Sequence, residues 1–360
     1  MTRVVVFSAS VGEGHEVPAR AIERGILARE PAAEVDVVDS LDVLGPVVHR
    51  VAEDEMRRTF GSGGSSRLFD LEYRLFARTA PFRALGQGVL HRASGGRVLR
   101  DLERRAPDVV VSTYPALTEV LGHLRRTRRL HVPTVAAVTD LASLWYWASR
   151  GIDLHLLTHP ESEEEVRRIA GPGRIVAVRG LHDERFLDPH DPAAARAALG
   201  LEAPVVAVSG GGWGVGDVRG AARIAAEQAN VLVLAGRNER LRELEGVRVV
   251  PFVEDFASVL AAADVLVHST AGLTILEALL LGVHPISYGW GVAHIRANNE
   301  AFARTGLARV AATPDELRTA VAAALAEPRR PHAPRHAALP HAADLILELA
   351  TRGSSRGSSG

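Results

Sequence analysis

Short runs of β-branched residues alternate with longer helical stretches along the first half of the chain. Apolar residues recur at helical spacing in Val17–Arg29 and Leu117–Arg126, whereas the short runs are apolar almost throughout. Strands of this kind, each followed by a helix, are typical of a parallel sheet covered by helices on both faces. The pattern therefore predicts an α/β fold. The predicted strands of this half are Val4–Ser8, Glu34–Asp39, Val109–Thr113, Thr134–Thr139, Leu154–Thr158 and Ile175–Val178.

The same alternation restarts after a proline-containing stretch, Gly180–Pro204. We therefore predict two doubly wound, Rossmann-like domains. Because ligands bind beyond the carboxyl ends of the strands in such sheets, we expect the two domains to face a cleft. The second series of strands is Val205–Ser209, Val231–Ala235, Val247–Pro251, Val265–His268 and Val283–Ser287. The predicted segments are an N-terminal domain over 1–180, a linker over 181–204, a C-terminal domain over 205–333, a segment with a short helix over 334–351 and a disordered tail over 352–360.

Composition excludes several classes of function. The 360 residues include no cysteine, so a disulfide, a cysteine-ligated zinc site and a thiol nucleophile are all ruled out. A net charge of −1 gives no overall field that would attract nucleic acid. The first residues do not show the pattern typical of an export signal, and no apolar run reaches the roughly 20 residues of a membrane-spanning helix. We therefore expect a cytoplasmic protein.

A glycine-containing loop, Ser8–His15, follows the first predicted strand and opens the first helix. Gly12 and Gly14 allow a tight turn, and the helix N-terminus offers backbone N–H groups to a ligand. The loop is equally compatible with a simple strand-to-helix turn. His15 at its end is a candidate general base, since histidine titrates near neutral pH, or else a core or capping residue.

The same loop also raises the alternative of a dinucleotide site. In that case Asp36 or Asp39, after the second strand, would bind the ribose. The third glycine of the dinucleotide fingerprint is replaced by Val17, which argues against this alternative.

A second glycine loop follows the first strand of the second half. Five of the seven residues from Gly210 to Gly216 are glycine, more than a turn requires. Such a run indicates backbone amides close to a bulky anion such as a diphosphate.

A third motif, Val265–Ala278, reads as a strand, a turn of small residues over Ser269–Gly272 and a helix that begins near Leu273. Thr274 lies in the first helical turn, and Glu277 follows on the same side at i+3. The helix terminus suits a diphosphate, and the carboxylate one turn later suits the two hydroxyls of a ribose. The alternative is that Thr274 and Glu277 only form a capping arrangement.

These motifs together resemble the GT-B glycosyltransferases of the family-28 type: the monogalactosyl- and glucosyl-diacylglycerol synthases and, more distantly, the peptidoglycan GlcNAc transferase that makes lipid II. The resemblance covers about residues 3–312. It is carried by Ser10–His15, Val138–Asp140 with Trp147 behind it, Ala235–Asn238, Pro251–Val253 and His268–Pro285.

The resemblance implies a role for each matching residue. His15 would be the catalytic base, with Asp140 as second choice, and the N-terminal domain would bind the acceptor through Gly12, Gly14 and Trp147. The C-terminal domain would bind the donor. Its implied donor-binding residues are Gly211, Gly212, Trp213, Arg237, Val253, Thr270, Gly272, Leu273, Thr274, Glu277, His294 and Asn298. Because relatives carry a glutamine where this chain has His294, the identity of the donor sugar stays open.

The implied activity is inverting transfer of a hexose from a UDP-sugar to a hydroxyl acceptor, with a diacylglycerol-type lipid as the expected acceptor. We expect no metal and no cofactor, since a helix N-terminus and several amides can stabilise the departing diphosphate. One alternative is GlcNAc transfer to a polyprenyl or soluble natural-product acceptor. Another is a protein that binds a nucleotide-sugar without catalysis.

Segment 45–107 combines 12 arginines with 7 acidic residues and interleaves apolar and aromatic side chains. Such a composition fits a helix that lies on anionic lipid. The alternative is an amphipathic helix packed on its own domain. In the resembling lipid enzymes this region faces the bilayer. We therefore expect a peripheral enzyme on the inner face of the cell membrane, with no nucleic-acid partner.

Overall fold

A computed structural model describes residues 1–10, 13–51, 80–214, 216–269, 272–289 and 293–357. The N-terminal half forms a parallel sheet of six strands in the order β2-β1-β3-β4-β5-β6. These strands are β1 (Arg3–Ser8), β2 (Glu34–Asp39), β3 (Val109–Ser112), β4 (Thr134–Val138), β5 (Leu154–Leu157) and β6 (Arg174–Ala177).

The C-terminal half forms a second six-stranded parallel sheet in the order β12-β11-β10-β7-β8-β9. The α/β prediction is confirmed, with one Rossmann-like sheet in each half. Among the described strands, only the edge strand β12, three residues long, was not predicted. The strands are β7 (Val205–Ser209), β8 (Asn230–Gly236), β9 (Arg248–Pro251), β10 (Val265–His268), β11 (His284–Tyr288) and β12 (Arg309–Ala311).

Helices connect the strands and cover the sheets. In the first half they are α1 (Glu13–Arg29), α2 (Ser40–Leu44), α3 (Ala80–Arg105), α4 (Pro115–Arg126) and α5 (Glu163–Ala170). In the second half they are α6 (Pro192–Leu199), α7 (Val218–Ala225), α8 (Phe256–Leu260), α9 (Leu273–Leu281), α10 (Ala293–Thr305), α11 (Pro314–Leu325), α12 (Ala333–Ala337) and α13 (Ala342–Gly357). Among the described helices, none combines the length and apolar character that crossing a membrane requires.

The central strands are largely apolar because both of their faces are buried. On β1, Val4 and Val6 pack against α1 and α13, whereas Val5 and Phe7 on the opposite face pack against α3 and α4. Successive side chains of a strand point to opposite faces, so a strand buried on both has no polar alternation.

The chain divides into two compact units. Unit 1 comprises Met1–Asp183 together with Leu339–Gly360, and unit 2 comprises Glu184–Ala338. Most of the predicted linker, 181–204, therefore belongs to unit 2. There α6 is held by its Arg196, whose guanidinium donates to the Asp264 carboxylate at 2.6 Å.

The C-terminal helix α13 belongs to unit 1, where it packs on α1. This helix was predicted as part of a separate segment, because its own residues do not show which surface they cover. The helix continues to Gly357, into the tail that was predicted to be disordered from residue 352.

Candidate active site

His15 lies in the first turn of α1, directly after β1. Its Nδ1 is 2.8 Å from the carbonyl oxygen of Thr113, which follows β3. A carbonyl oxygen can only accept, so Nδ1 carries the proton of the neutral ring. The lone pair of the neutral imidazole is therefore at Nε2, which is the tautomer that a base acting through Nε2 requires.

Two aromatic rings hold the imidazole of His15. Tyr114 contacts it edge-on with ring centroids 5.2 Å apart, and Trp147 lies at 5.5 Å. The indole N–H of Trp147 donates to Oδ2 of Asp140 at 3.1 Å. The two candidate bases, His15 and Asp140, are thus connected through one indole. Because β1, β3 and β4 are neighbours in the sheet, their carboxyl ends bring these residues together.

Trp147 is only 5% exposed, so it offers an acceptor little direct contact surface. Its ring packs in a cluster with Val138 and Leu157, at the ends of β4 and β5. Burial of the adjacent Tyr146, together with the nearby Glu119, raises the pKa of its phenol. Trp147 therefore acts on the site through its contacts with His15 and Asp140.

The carboxylates proposed for a dinucleotide site have protein partners instead. Asp39 caps α2 by accepting from the backbone N–H of Leu41 at 2.8 Å, and it also accepts from that of Ser10 at 3.3 Å. Asp36 is paired with Arg105 at 2.9 Å. Asp39 therefore supports the loop that carries His15, and the ribose role of the dinucleotide alternative has no support here.

In unit 2, the second glycine loop packs on the loop that follows β8. The carbonyl oxygen of Gly212 accepts from the backbone N–H of Arg237 at 2.8 Å. A Cβ on Gly236 would lie 2.5 Å from that carbonyl oxygen, and one on Gly214 would lie 2.7 Å from Cβ of Asn238. Part of the glycine run is therefore required by the protein's own close packing. Gly211 and Gly212, in a 3-10 turn over Gly211–Trp213, are left as the candidate donor contacts.

The glycine loop also meets the turn that precedes α9. A Cβ on Gly216 would lie 2.5 Å from Cβ of Ser269, so the two loops approach as closely as backbone permits. Gly272 is the N-cap of α9, with φ of 80°, and Leu273 and Thr274 begin the helix. Since the N-cap residue has no side chain, the capping box that was the alternative role for Thr274 and Glu277 is not formed. Glu277 is buried one turn further on.

Arg237 and Val253 lie at the ends of β8 and β9. The Arg237 guanidinium is stacked 4.0 Å over the ring of Phe252, and the backbone N–H of Phe252 donates to the Gly236 carbonyl at 2.9 Å. Phe252 is 43% exposed, so this cation–π pair forms part of the surface at the strand ends. Val253 follows it directly.

A buried polar network that sequence analysis missed lies at the ends of β10 and β11. The Ser287 hydroxyl is 2.9 Å from Oδ1 of Asn299 and 3.1 Å from Nε2 of His268. The hydroxyl has one proton and donates it to the amide oxygen, so it accepts from the Nε2–H of His268. Asn298, which was predicted to bind the donor, is fully buried beside this network. No sequence motif marks Ser287 or Asn299.

Four predicted site residues are not fully described. Gly12 and Thr270 lie outside the described residues, as do the side chains of Trp213 and His294. The remaining predicted residues fall into two groups, one at the strand ends of each unit.

Comparison with known proteins identifies the class of enzyme. A family model described as monogalactosyldiacylglycerol (MGDG) synthase matches residues 15–181, and one described as glycosyl transferases group 1 matches 218–327. The processive diacylglycerol beta-glucosyltransferase of Bacillus subtilis is 22% identical over 90% of this chain and 87% of its own length.

A second relative is the GlcNAc transferase of Halorhodospira halophila that acts on N-acetylmuramyl-(pentapeptide) pyrophosphoryl-undecaprenol. It is 31% identical, over 48% of this chain and 44% of its own length. Among solved structures, the Streptomyces sp. SF2575 glycosyltransferase SsfS6, complexed with thymidine diphosphate, shares the fold with a TM-score of 0.62. That alignment is 17% identical and covers 98% of this chain and 100% of SsfS6.

The chain is a glycosyltransferase of the GT-B type. The predicted resemblance to the family-28 enzymes is confirmed, and so is the predicted pair of Rossmann-like domains. Within this glycosyltransferase, the family models divide as the two units do. The MGDG synthase model matches the half that carries His15, and the group 1 model matches the half that carries α9.

Proposed function

We propose that this glycosyltransferase moves a hexose from a UDP-sugar to the hydroxyl of a diacylglycerol-type lipid, with inversion and without a metal ion. The observation that carries the proposal is the tautomer of His15, whose Nδ1–H is donated to the Thr113 carbonyl. The lipid acceptor is supported by the B. subtilis relative, a diacylglycerol glucosyltransferase, and by the MGDG synthase model.

In this mechanism Nε2 of His15 removes the proton of the acceptor hydroxyl. The acceptor oxygen attacks the anomeric carbon while the bond from that carbon to the diphosphate oxygen breaks on the opposite side, so the centre inverts. The N-terminus of α9 and the amides of Gly211 and Gly212 would stabilise the charge that develops on the diphosphate. A helix terminus contributes about 0.3–1 kcal/mol per charge when exposed and up to about 2 when partly buried.

Substitution of His15 tests the base. We expect His15→Ala to lower turnover by about 10²–10⁴-fold, the usual contribution of a general base, with unchanged affinity for UDP. Asp140→Asn serves as the comparison, since it keeps an acceptor for the Trp147 indole but removes the carboxylate. Full turnover in His15→Ala together with loss in Asp140→Asn would move the role of base to Asp140.

The ribose role of Glu277 is tested with a nucleotide that lacks one hydroxyl. If the carboxylate binds both ribose hydroxyls, wild-type protein will bind UDP more tightly than 2′-deoxy-UDP by calorimetry. Glu277→Ala should weaken UDP and abolish that preference. A preference that survives the substitution would show that another residue reads the ribose. Thermal-shift measurements with UDP-glucose, UDP-galactose and UDP-GlcNAc would then identify the donor sugar.

Binding to a membrane surface is proposed through the part of segment 45–107 that the structure describes. Leu85 and Val89 of α3 are 62% and 53% exposed, and Arg92 follows them on the same helix. We expect the protein to float with liposomes that contain anionic lipid, and Leu85→Asp with Val89→Asp to abolish this. The matched control is Leu27→Asp, an exposed leucine on α1. Flotation of the double variant at the wild-type level would place the membrane contact elsewhere.

A further inference from the structure

Thr113 lies at the end of β3, fully buried, and its hydrogen bonds converge on His15. We infer that Thr113 is a positioning residue, which fixes the tautomer and orientation of the catalytic imidazole. The inference rests on the proposed function, because it deepens the role of His15 as the base.

The contact between the two residues is reciprocal. The imidazole Nδ1–H of His15 donates to the main-chain carbonyl of Thr113 at 2.8 Å, and the hydroxyl of Thr113 lies 2.8 Å from the main-chain carbonyl oxygen of His15. The same hydroxyl is 3.2 Å from the carbonyl oxygen of Phe7. Its single proton therefore favours the closer acceptor, His15. Each residue thus anchors the other's backbone.

The carbonyl that selects the tautomer is itself fixed to the sheet. The backbone N–H of Thr113 donates to the carbonyl of Phe7 on β1 at 2.9 Å. The imidazole of His15 is therefore aligned against a strand end that is hydrogen-bonded into the sheet.

The aromatic neighbours alone do not select the nitrogen. Tyr114 and Trp147 make ring–ring contacts with the imidazole, which do not distinguish its nitrogens from its carbons. A rotation of the imidazole by 180° about the Cβ–Cγ bond would keep both contacts. That half-turn exchanges Nδ1 with Cδ2 and Nε2 with Cε1, so a carbon would occupy the position of the basic nitrogen. The hydrogen bond from Nδ1 to the Thr113 carbonyl distinguishes the two orientations. The Thr113 hydroxyl holds the backbone of His15 against that carbonyl, so its removal should let the His15 backbone shift and the ring populate both orientations.

The first test measures the tautomer directly and needs no substrate. Histidine labelled with ¹⁵N reports which imidazole nitrogen carries the proton, and His15 is assigned by the signal that His15→Asn removes. At a pH where the ring is neutral, we expect the proton on Nδ1 in the wild type and a mixture of tautomers in Thr113→Val. A wild-type proton on Nε2, or an unchanged spectrum in Thr113→Val, would overturn the inference.

The second test is kinetic. Thr113→Val keeps the shape but removes the hydroxyl, and we expect kcat to fall by up to about a hundredfold, as for other displaced catalytic groups, with little change in the donor KM. Thr113→Ser, which keeps the hydroxyl, should retain a kcat near that of the wild type. Thr118→Val is the matched control, since Thr118 is equally buried in the same region but its hydroxyl contacts Ser112 and Tyr114. If Thr113→Val does not fold, Thr113→Cys, whose thiol is a weaker donor, takes its place.

A combined variant separates this inference from the proposed function. In a His15→Ala background, Thr113→Val should cost nothing further, because the residue acts through the imidazole. Inactive His15→Ala with fully active Thr113→Val would overturn the positioning role alone. Fully active His15→Ala would overturn the base assignment, and the tautomer measurement would still decide whether Thr113 orients the ring.

Discussion

His155 lies on β5 with its ring completely buried in unit 1. The backbone N–H of Ser149 donates to its Nε2 at 3.3 Å, so Nε2 accepts and the ring is neutral. Burial lowers the pKa of His155 from 6.5 to about 4, against a smaller opposing effect of Asp153. A histidine held neutral in this way links folding to pH.

Between pH 6.5 and about 4, the unfolded chain binds a proton at His155 that the folded chain does not. The neutral ring of His155 therefore contributes about 3 kcal/mol to the free energy of unfolding above pH 6.5. This contribution is lost as the pH falls from 6.5 towards 4. We expect the free energy of unfolding in urea to decline over this range in the wild type and less steeply in His155→Leu. His131→Gln, at an exposed histidine, is the control. Parallel pH profiles for wild type and His155→Leu would contradict the assignment.

The residues of the candidate site were predictable to different degrees. His15, Asp140 and Glu277 stand in motifs whose spacing after a strand is distinctive, and the parallel topology then brings His15 and Asp140 to one edge. Thr113 and Ser287 were not predictable, because a hydroxyl at a strand end is ordinary in sequence. Their importance arises only from the residue across the neighbouring strand.

Two glycines make room for the ring of His341, just ahead of α13. A Cβ on Gly25 of α1 would lie 2.7 Å from Cε1 of that ring, and one on Gly180 would lie 2.6 Å from the same atom. The ring cannot move aside easily, because its Nδ1 accepts from the backbone N–H of Ala343 at 3.0 Å. The glycines therefore permit α13 to approach α1 closely.

Alanine at Gly25 tests this close approach. At a helix position with free space around it, Gly→Ala raises the free energy of unfolding by up to about 1 kcal/mol. Gly88 of α3, where an added Cβ would have no neighbour within 4 Å, should show this increase. Gly25→Ala should instead lower the free energy of unfolding by about 1–3 kcal/mol through overpacking. Urea unfolding of both variants gives the comparison. Equal gains would show that His341 yields readily.

The helices and strands themselves were more predictable than the elements against which they pack. Every strand from β1 to β11 was predicted, because a short run rich in aliphatic residues, bounded by glycine or a polar turn, is a local signal. The edge strand β12 was not, since it has only three residues, of which Arg309 is charged and Val310 is exposed. The attachment of α13 to unit 1 depends on residues more than 300 positions earlier, including the ion pair of Arg29 with Asp344, and no local pattern carries that information.

At the scale of the whole molecule, the chain leaves unit 1 at Asp183 and returns to it at Leu339. The return is fixed by a parallel bridge: the backbone N–H of Arg179 donates to the Pro340 carbonyl at 3.1 Å, and that of Ala342 to the Arg179 carbonyl at 2.9 Å. From there α13 contributes Ile346 to the same core as Ile22 and Ile26 of α1. Unit 1 is therefore completed only when the buried face of α13 is present.

Shortening the chain tests this dependence. The four tryptophans fall two in each unit, so replacing Trp213 and Trp290 by Phe leaves Trp145 and Trp147 as fluorescent reporters of unit 1. In that background, Ile346→Ala should lower the free energy of unfolding of unit 1 by about 2–5 kcal/mol, the cost of a large-to-small change in a core. A chain that ends at Ala338 should lose the cooperative transition of unit 1 altogether, because the apolar face of α1 is then exposed. A chain that ends at Arg352 keeps Ile346 and Ala350, so it should unfold at the same urea concentration as the full chain. If it unfolds at as low a urea concentration as the chain that ends at Ala338, then the residues after Arg352, and not the buried face of α13, stabilise unit 1.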